Sequence, residues 1–287
     1  MSAPVRLVYI ASCSHSGSTL LDLLLNAHSR FASVGELKKF PARITAGETY
    51  RCTCGELPLE GCSFWPGVVD RLAGSTDELA LFGAIGMETN GAIIVDSSKV
   101  PRWLSRLLKS PEVDVLPVFL VRDPRGQVCS TLRKGEATLI RATRDYNRIN
   151  RKIMRTLRQR AHVLIRYEDL VVDPRGAIEP ILSLCGEAFE AGQLDWASAE
   201  KHSLAGNRMR HGSDSGIRRD ERWRTELTVW QKLAIQAGTS WTRLAIAAHI
   251  AQHHRRSEAL ASRTLANSDS ARHSGHSRPF ARRAPIA

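Results

Sequence analysis

Between Ser14 and His28 the chain reads SHSGSTLLDLLLNAH, in which hydroxyls and a glycine lead directly into a helix-like apolar pattern. Ser14, Ser16, Ser18 and Thr19 supply hydroxyls, and Gly17 lets the backbone approach an anion. The first amides of a helix starting at Thr19 add unpaired N–H groups and the favourable end of the helix dipole. A phosphate-like ligand suits this chemistry. The lysine of a G-x-x-x-x-G-K-[ST] loop is missing, because no Lys occurs between Met1 and Leu37, so ordinary ATP or GTP hydrolysis is disfavoured. A second cationic set follows in Val121-Arg122-Asp123-Pro124-Arg125-Gly126, with Ser130 and Thr131 downstream. Arg122 and Ser130, about two helical turns apart, can hold a second phosphate; alternatively, Arg122 pairs structurally with Asp123 or Glu168.

Such loops need elements to position them. Apolar runs at Val5–Ala11, Ala92–Val95, Val115–Val121 and His162–Arg166 predict strands. Helical patterns cover Thr19–Ala27, Pro101–Leu108, Pro124–Lys134, Ala142–Arg160, Arg175–Cys185 and Thr228–Ala251. Alternation of the two predicts an α/β fold with a central parallel sheet between helical layers. Each strand ends in a polar cluster: Ser14–Ser18, Asp96–Lys99, Arg122–Asp123 and Tyr167–Asp169. Ligands of open parallel sheets bind at the carboxyl ends of strands, so the four clusters are expected to converge.

The 287-residue chain can bury one substantial core. Its formal charge of +12 is confined to two segments. Residues 141–160 hold eight basic side chains and one acidic one, and residues 255–287 hold seven arginines, one Glu and one Asp. The rest is neutral, which argues against a general nucleic-acid-binding fold. Residues 1–254 are read as one domain and 255–287 as a disordered basic tail able to make weak contact with an acidic membrane surface. No signal-peptide pattern or membrane-length apolar run is present, and a soluble cytoplasmic protein is expected. Its six cysteines are then mostly reduced thiols. Cys52, Cys54 and Cys62 lie close enough in sequence to suggest zinc, but no fourth ligand is evident; the alternatives are a small disulfide under oxidising conditions and, preferred, a packed acceptor-side lid with free thiols, so no metal is predicted. Arg141, Arg144, Arg148, Arg151, Arg155 and Arg158 form a helical stripe, read as a solvated face or as the border of an anionic acceptor's cleft. His202, Trp223 and Trp230 are left open between packing and function.

The Ser14–Leu21 loop, LVRDPRG at Leu120–Gly126 with Ser130, and RYEDL at Arg166–Leu170 together resemble the sulfotransferases, in particular bacterial members related to the carbohydrate and tyrosylprotein branches. Gly35-Glu36-Leu37, VDSSK at Val95–Lys99, HSLAGNRMR at His202–Arg210 and Trp223-Arg224 extend the likeness. The resemblance implies a P-loop-like three-layer α/β/α sandwich and 3′-phosphoadenosine 5′-phosphosulfate (PAPS) as donor, with no metal. Ser14, His15, Ser16, Gly17, Ser18 and Thr19 would then hold the 5′-phosphosulfate, Arg122 and Ser130 the 3′-phosphate, and Tyr167 would approach the adenine. Asn207, Arg210 and Arg218 would belong to a segment closing over the nucleotide. Glu36 matches a general base, the alternative being a helix-capping acid, and Lys99 would neutralise the transferred group. His15 stands where the family usually has Arg or Lys. Either Lys99 supplies that charge, His15 acts protonated, or amides and hydroxyls suffice. The acceptor expected is a hydroxyl on a carbohydrate, glycolipid or other small metabolite. The rival readings are a P-loop kinase or nucleotidase and a non-catalytic nucleotide-binding protein.

Overall fold

The computed structural model describes residues 3–40, 51–57, 59–75, 77–204 and 207–273. Its elements in chain order are β1 (Val5–Ser12), α1 (Ser18–Asn26), β2 (Phe31–Gly35), α2 (Trp65–Leu72), α3 (Ala80–Glu88), β3 (Ile93–Asp96), α4 (Pro101–Leu107), β4 (Val113–Val121), α5 (Pro124–Arg133), α6 (Leu139–Leu157), β5 (Val163–Arg166), α7 (Tyr167–Leu170), α8 (Pro174–Leu184), α9 (Trp223–Glu226) and α10 (Val229–His273). A short 3₁₀ turn, Leu37–Lys39, follows β2.

All strand pairings are parallel, in the order β2-β3-β1-β4-β5. Such a sheet is covered on both faces, so its strands are continuously apolar rather than alternating. Leu7, Val8, Tyr9, Ile10 and Ala11 of β1 are all buried, as are Val118, Phe119 and Leu120 of β4. Helix α1 packs its leucines on the sheet beside Trp196 and α8 residues Ile178, Ile181 and Leu182. The chain leaves β1 towards β2 and β3 on one side and continues through β4 and β5 on the other. The switch point therefore lies between β1 and β4, where a crevice opens at the strands' carboxyl ends. The β1/β4 register runs to Ser12 opposite Leu120, so the loop after β1 emerges beside Arg122.

The expected strands and parallel sheet are all present. Strand β2 was not anticipated, because it is a five-residue edge strand whose apolar run is interrupted by Ala32 and Ser33. Helices α2 and α3 were also unassigned. The chain divides into two compact units, residues 1–243 and 244–287. The disordered tail expected from residue 255 is corrected over 255–273, which is helical. Residues 229–273 contain no Pro and a single Gly, and they are rich in Ala, Leu and Arg, which favour helix. The remainder of the expected tail, 274–287, lies outside the described residues.

Leu24 of α1 is fully buried in the main core. Leu24→Ala is expected to lower unfolding free energy by about 2–5 kcal/mol, read from urea denaturation; a loss well below about 1 kcal/mol would contradict this packing.

Candidate active site

Helix α1 begins without a side-chain cap: its N-cap is Gly17, in the left-handed conformation at φ 92°. A Ser or Asp there would occupy the first free amides; glycine leaves them for a ligand. The turn needs glycine for a second reason, since a Cβ at Gly17 would lie 2.5 Å from Tyr167 Cδ2. His15 also has positive φ, 64°, although it is not glycine. The loop is held from below. Gln127 Nε2 donates to the Ser14 carbonyl (3.1 Å) and Arg122 Nη1 to the His15 carbonyl (2.9 Å).

Arg122 follows β4 and is almost fully buried. Its other terminal nitrogen reaches the Asp220 carbonyl at 3.0 Å and the Asp220 carboxylate at 3.2 Å, and its guanidinium lies 4.3 Å from the Tyr167 ring centroid. Tyr167 Oη in turn accepts from the Asp220 amide at 3.1 Å. The alternative pairing of Arg122 with Asp123 or Glu168 is not what is found. Asp123 caps α5 and binds Arg125, while Glu168 accepts from the Asp123 amide.

Across the cavity, Lys99 Nζ donates to Glu36 Oε1 at 2.5 Å. Glu36 precedes the 3₁₀ turn yet makes no capping hydrogen bond, so its side chain is spent on Lys99 rather than on a helix end. Lys99 has φ 59°, a costly conformation for a non-glycine residue. The loop that carries it is over-determined by hydrogen bonds. Tyr9 Oη accepts from the Val100 amide (2.9 Å), buried Asp96 accepts from the Ser98 amide (2.8 Å) and Trp103 Nε1 (3.0 Å), and Ser98 Oγ accepts from the Lys38 amide (2.9 Å). Burial pushes the Asp96 carboxyl up to about 6, against its hydrogen bonds. Behind the anion loop, Asp22 on α1 is raised by burial to about 7, opposed by a hydrogen bond from Ser33 Oγ (2.6 Å).

Gly17, Glu36, Lys99, Arg122, Tyr167 and Asp220 line one cavity of about 600 Å³, together with Ser14, His15, Ser18, Thr19, Ser130, Asn207 and Arg218. Two expected residues are not on its wall. Ser16 is buried beneath the loop, and Arg210 is turned to His211, its Nε 3.0 Å from His211 Nε2. His15 is the residue whose charge the sequence leaves open among three readings. Burial lowers its pKa, only partly opposed by Glu136 at 2.8 Å. Positive charge comes from Lys99, Arg122, Arg133, Lys134, Arg218 and Arg222, against the carboxylates Glu36, Glu136 and Asp220. Arg133, Lys134, Glu136, Asp220 and Arg222 were not foreseen. Arg133 and Lys134 end α5, where a cation near a helix C-terminus reads as ordinary dipole pairing.

No family model and no curated protein matches the chain. Solved structures do. A sulfotransferase domain from the curacin biosynthetic pathway superposes with a TM-score of 0.59 at 20% identity, covering 84% of this chain and 99% of that one. The sulfotransferase domain of the Synechococcus PCC 7002 olefin synthase gives 0.59 at 18% identity, covering 84% and 96%. This chain has the sulfotransferase fold. Within that fold, the crevice between β1 and β4 carries the anion loop, and the end of β3 carries Lys99. The remaining ambiguous residues divide plainly: Trp223 packs under Arg125 at 3.9 Å, Trp230 is exposed, and His202 lies among the cysteines. That last contact supplies the fourth ligand type that the cysteine spacing lacked.

Two outcomes check this geometry. Gly17→Ala should cost about 1–3 kcal/mol of stability, because it forces alanine into a left-handed turn against Tyr167; a variant as stable as the parent in urea would contradict the close approach. Asp22 binds its proton more tightly folded than unfolded, so stability falls as pH rises from about 4 to about 7. Asp96 adds a slope of the same sign ending near pH 6. In Asp22→Asn the decline over that interval should be shallower, measured by urea midpoints at several pH values; unchanged slopes would contradict the assignment.

Proposed function

We propose that this chain is a sulfotransferase moving a sulfuryl group from PAPS to an acceptor hydroxyl on a carbohydrate, glycolipid or other small metabolite. The Glu36–Lys99 pair carries this reading, because it sets a base and a cation in one cavity with an uncapped helix N-terminus. An excess of cationic side chains on the wall suits a donor bearing several negative charges.

Sulfuryl transfer is an in-line displacement in which the acceptor oxygen forms its bond to sulfur as the bridge to the 5′-phosphate breaks. It needs positioning, charge stabilisation and a proton acceptor, not a covalent nucleophile. The Ser18, Thr19 and Leu20 amides, with the Ser18 and Thr19 hydroxyls, hold the 5′-phosphate and take up the charge left on it. Arg122 and Ser130 receive the 3′-phosphate, Arg122 exchanging part of its hold on Asp220 for the anion. Tyr167 borders the nucleoside, and Asn207 and Arg218 enclose it. Without donor, Lys99 is bound to Glu36. With donor, Lys99 turns to the transferring oxygens, and the freed Glu36 carboxylate accepts the acceptor's proton. His15, tied to Glu136, shapes the loop through its left-handed backbone, while Lys99 supplies the charge that an Arg or Lys at its position would give. No metal takes part in this scheme.

The test is transfer of labelled sulfur from PAPS into a host extract, with labelled products identified by mass spectrometry. Glu36→Gln should reduce turnover about 10²- to 10⁴-fold while leaving donor affinity unchanged. Undiminished turnover would remove Glu36 from the mechanism. Magnesium-dependent ATP turnover without sulfur transfer would favour the kinase reading instead.

A further inference from the structure

Away from the cavity, Cys52, Cys54, Cys62 and His202 bring four potential ligand atoms within 4.8 Å of one another. His202 Nδ1 is 3.3 Å from Cys62 Sγ and 3.7 Å from Cys52 Sγ. Zn–S bonds of about 2.3 Å and Zn–N bonds of about 2.0 Å arranged tetrahedrally give ligand-to-ligand edges of about 3.5–3.8 Å. The two His202–thiol separations are close to those edges, and the four atoms together lie within 4.8 Å, near enough to close on a single ion. We propose that these four residues form a structural zinc site.

Independent features of the surroundings support it. The other ring nitrogen of His202, Nε2, lies 2.9 Å from Glu200 Oε1. A carboxylate on the far nitrogen is the usual partner of a metal-bound imidazole, because it fixes the tautomer that leaves Nδ1 free to ligate. The ring is stacked on Phe64, with centroids 5.1 Å apart and planes at 14°, so its orientation is set. Cys52 opens a tight turn in which the Gly55 amide donates to the Cys52 carbonyl at 3.0 Å, Gly55 adopting φ 96°; this bends Cys54 back toward Cys52. Three soft thiolates with one imidazole select zinc over the hard oxygen-seeking cations. Four protein ligands leave no open position, and none of the four lines the anion cavity, so the site is structural rather than catalytic. Binding displaces the three thiol protons, leaving Zn²⁺ bound by three thiolates and a neutral imidazole.

The metal would join segments 140 residues apart in sequence. The same junction is made by the Thr53 amide to the Ser203 carbonyl (3.2 Å), the Ser203 amide to Thr53 Oγ1 (2.9 Å) and Trp65 Nε1 to the His202 carbonyl (2.9 Å). Asn207, which lines the cavity, follows soon after. Zinc would thus anchor the start of the segment that forms the cavity's far wall. The inference stands on these ligands alone and is independent of the proposed reaction.

Full-length protein produced in zinc-supplemented medium and purified under thiol reductant should contain one zinc per chain by elemental analysis, retained on dialysis. Replacement by cobalt(II) should give the visible spectrum of a tetrahedral thiolate complex. Cys54 and Glu200 are exposed, so their variants are expected to fold. Cys54→Ser should lose zinc and weaken the thiolate absorption, and Glu200→Gln should bind zinc about 10-fold more weakly. The proposal is overturned by parent protein that carries no zinc under these conditions, or by Cys54→Ser and Cys62→Ser variants that retain the parent's zinc content. A Cys52–Cys62 disulfide in place of bound metal in the reduced preparation would overturn it equally.

Discussion

The site depends on a close approach between the Gly17 backbone and the ring of Tyr167, with Arg122 set over that ring. Only a residue without a Cβ fits against Tyr167, and only the left-handed turn available to glycine aims the first amides of α1 into the crevice. Arg122 then fastens this arrangement from the neighbouring strand, through the His15 carbonyl on one side and Asp220 on the other. Removing charge there would leave a buried carbonyl and a carboxylate without their shared donor, so one guanidinium links β1, β4, β5 and the downstream segment.

The opposite wall is built on different physics. Lys99 occupies a strained conformation, and the energy that keeps it there comes from buried polar contacts of Tyr9, Asp96 and Ser98. Asp96 is fully buried, so little solvent reaches the base of this loop, and burial raises its carboxyl pKa to about 6. Strain held by a buried network directly behind a lysine that lines the cavity is the pattern expected where geometry serves chemistry rather than stability.

Much of this was legible in the sequence because it is local. Continuous apolar runs mark strands buried on both faces, and the polar cluster after each run marks its carboxyl end, so Ser14–Thr19, Lys99, Arg122 and Tyr167 could be placed at one edge of a sheet before their distances were known. Glu36 was recognisable only through resemblance, since the strand before it is short and at the sheet's edge. What the sequence hid is long-range. Asp220 as the partner of Arg122, Glu136 as the partner of His15, and His202 beside the three cysteines each join positions about 100 or more residues apart. No periodicity records such pairings. His15 illustrates the limit well: its identity suggested a missing or titratable charge, while burial, which only the fold reveals, lowers its pKa.

The central claim is that the cavity is built for a nucleotide with phosphates at both ends of its ribose. Calorimetric titration of the parent protein with adenosine 3′,5′-bisphosphate and with adenosine 5′-monophosphate tests it most directly. A buried charged hydrogen-bonding partner for the 3′-phosphate should favour the bisphosphate by about 1.5–3 kcal/mol, roughly 10- to 100-fold in affinity. Equal affinities for the two nucleotides, or binding of neither, would contradict the account.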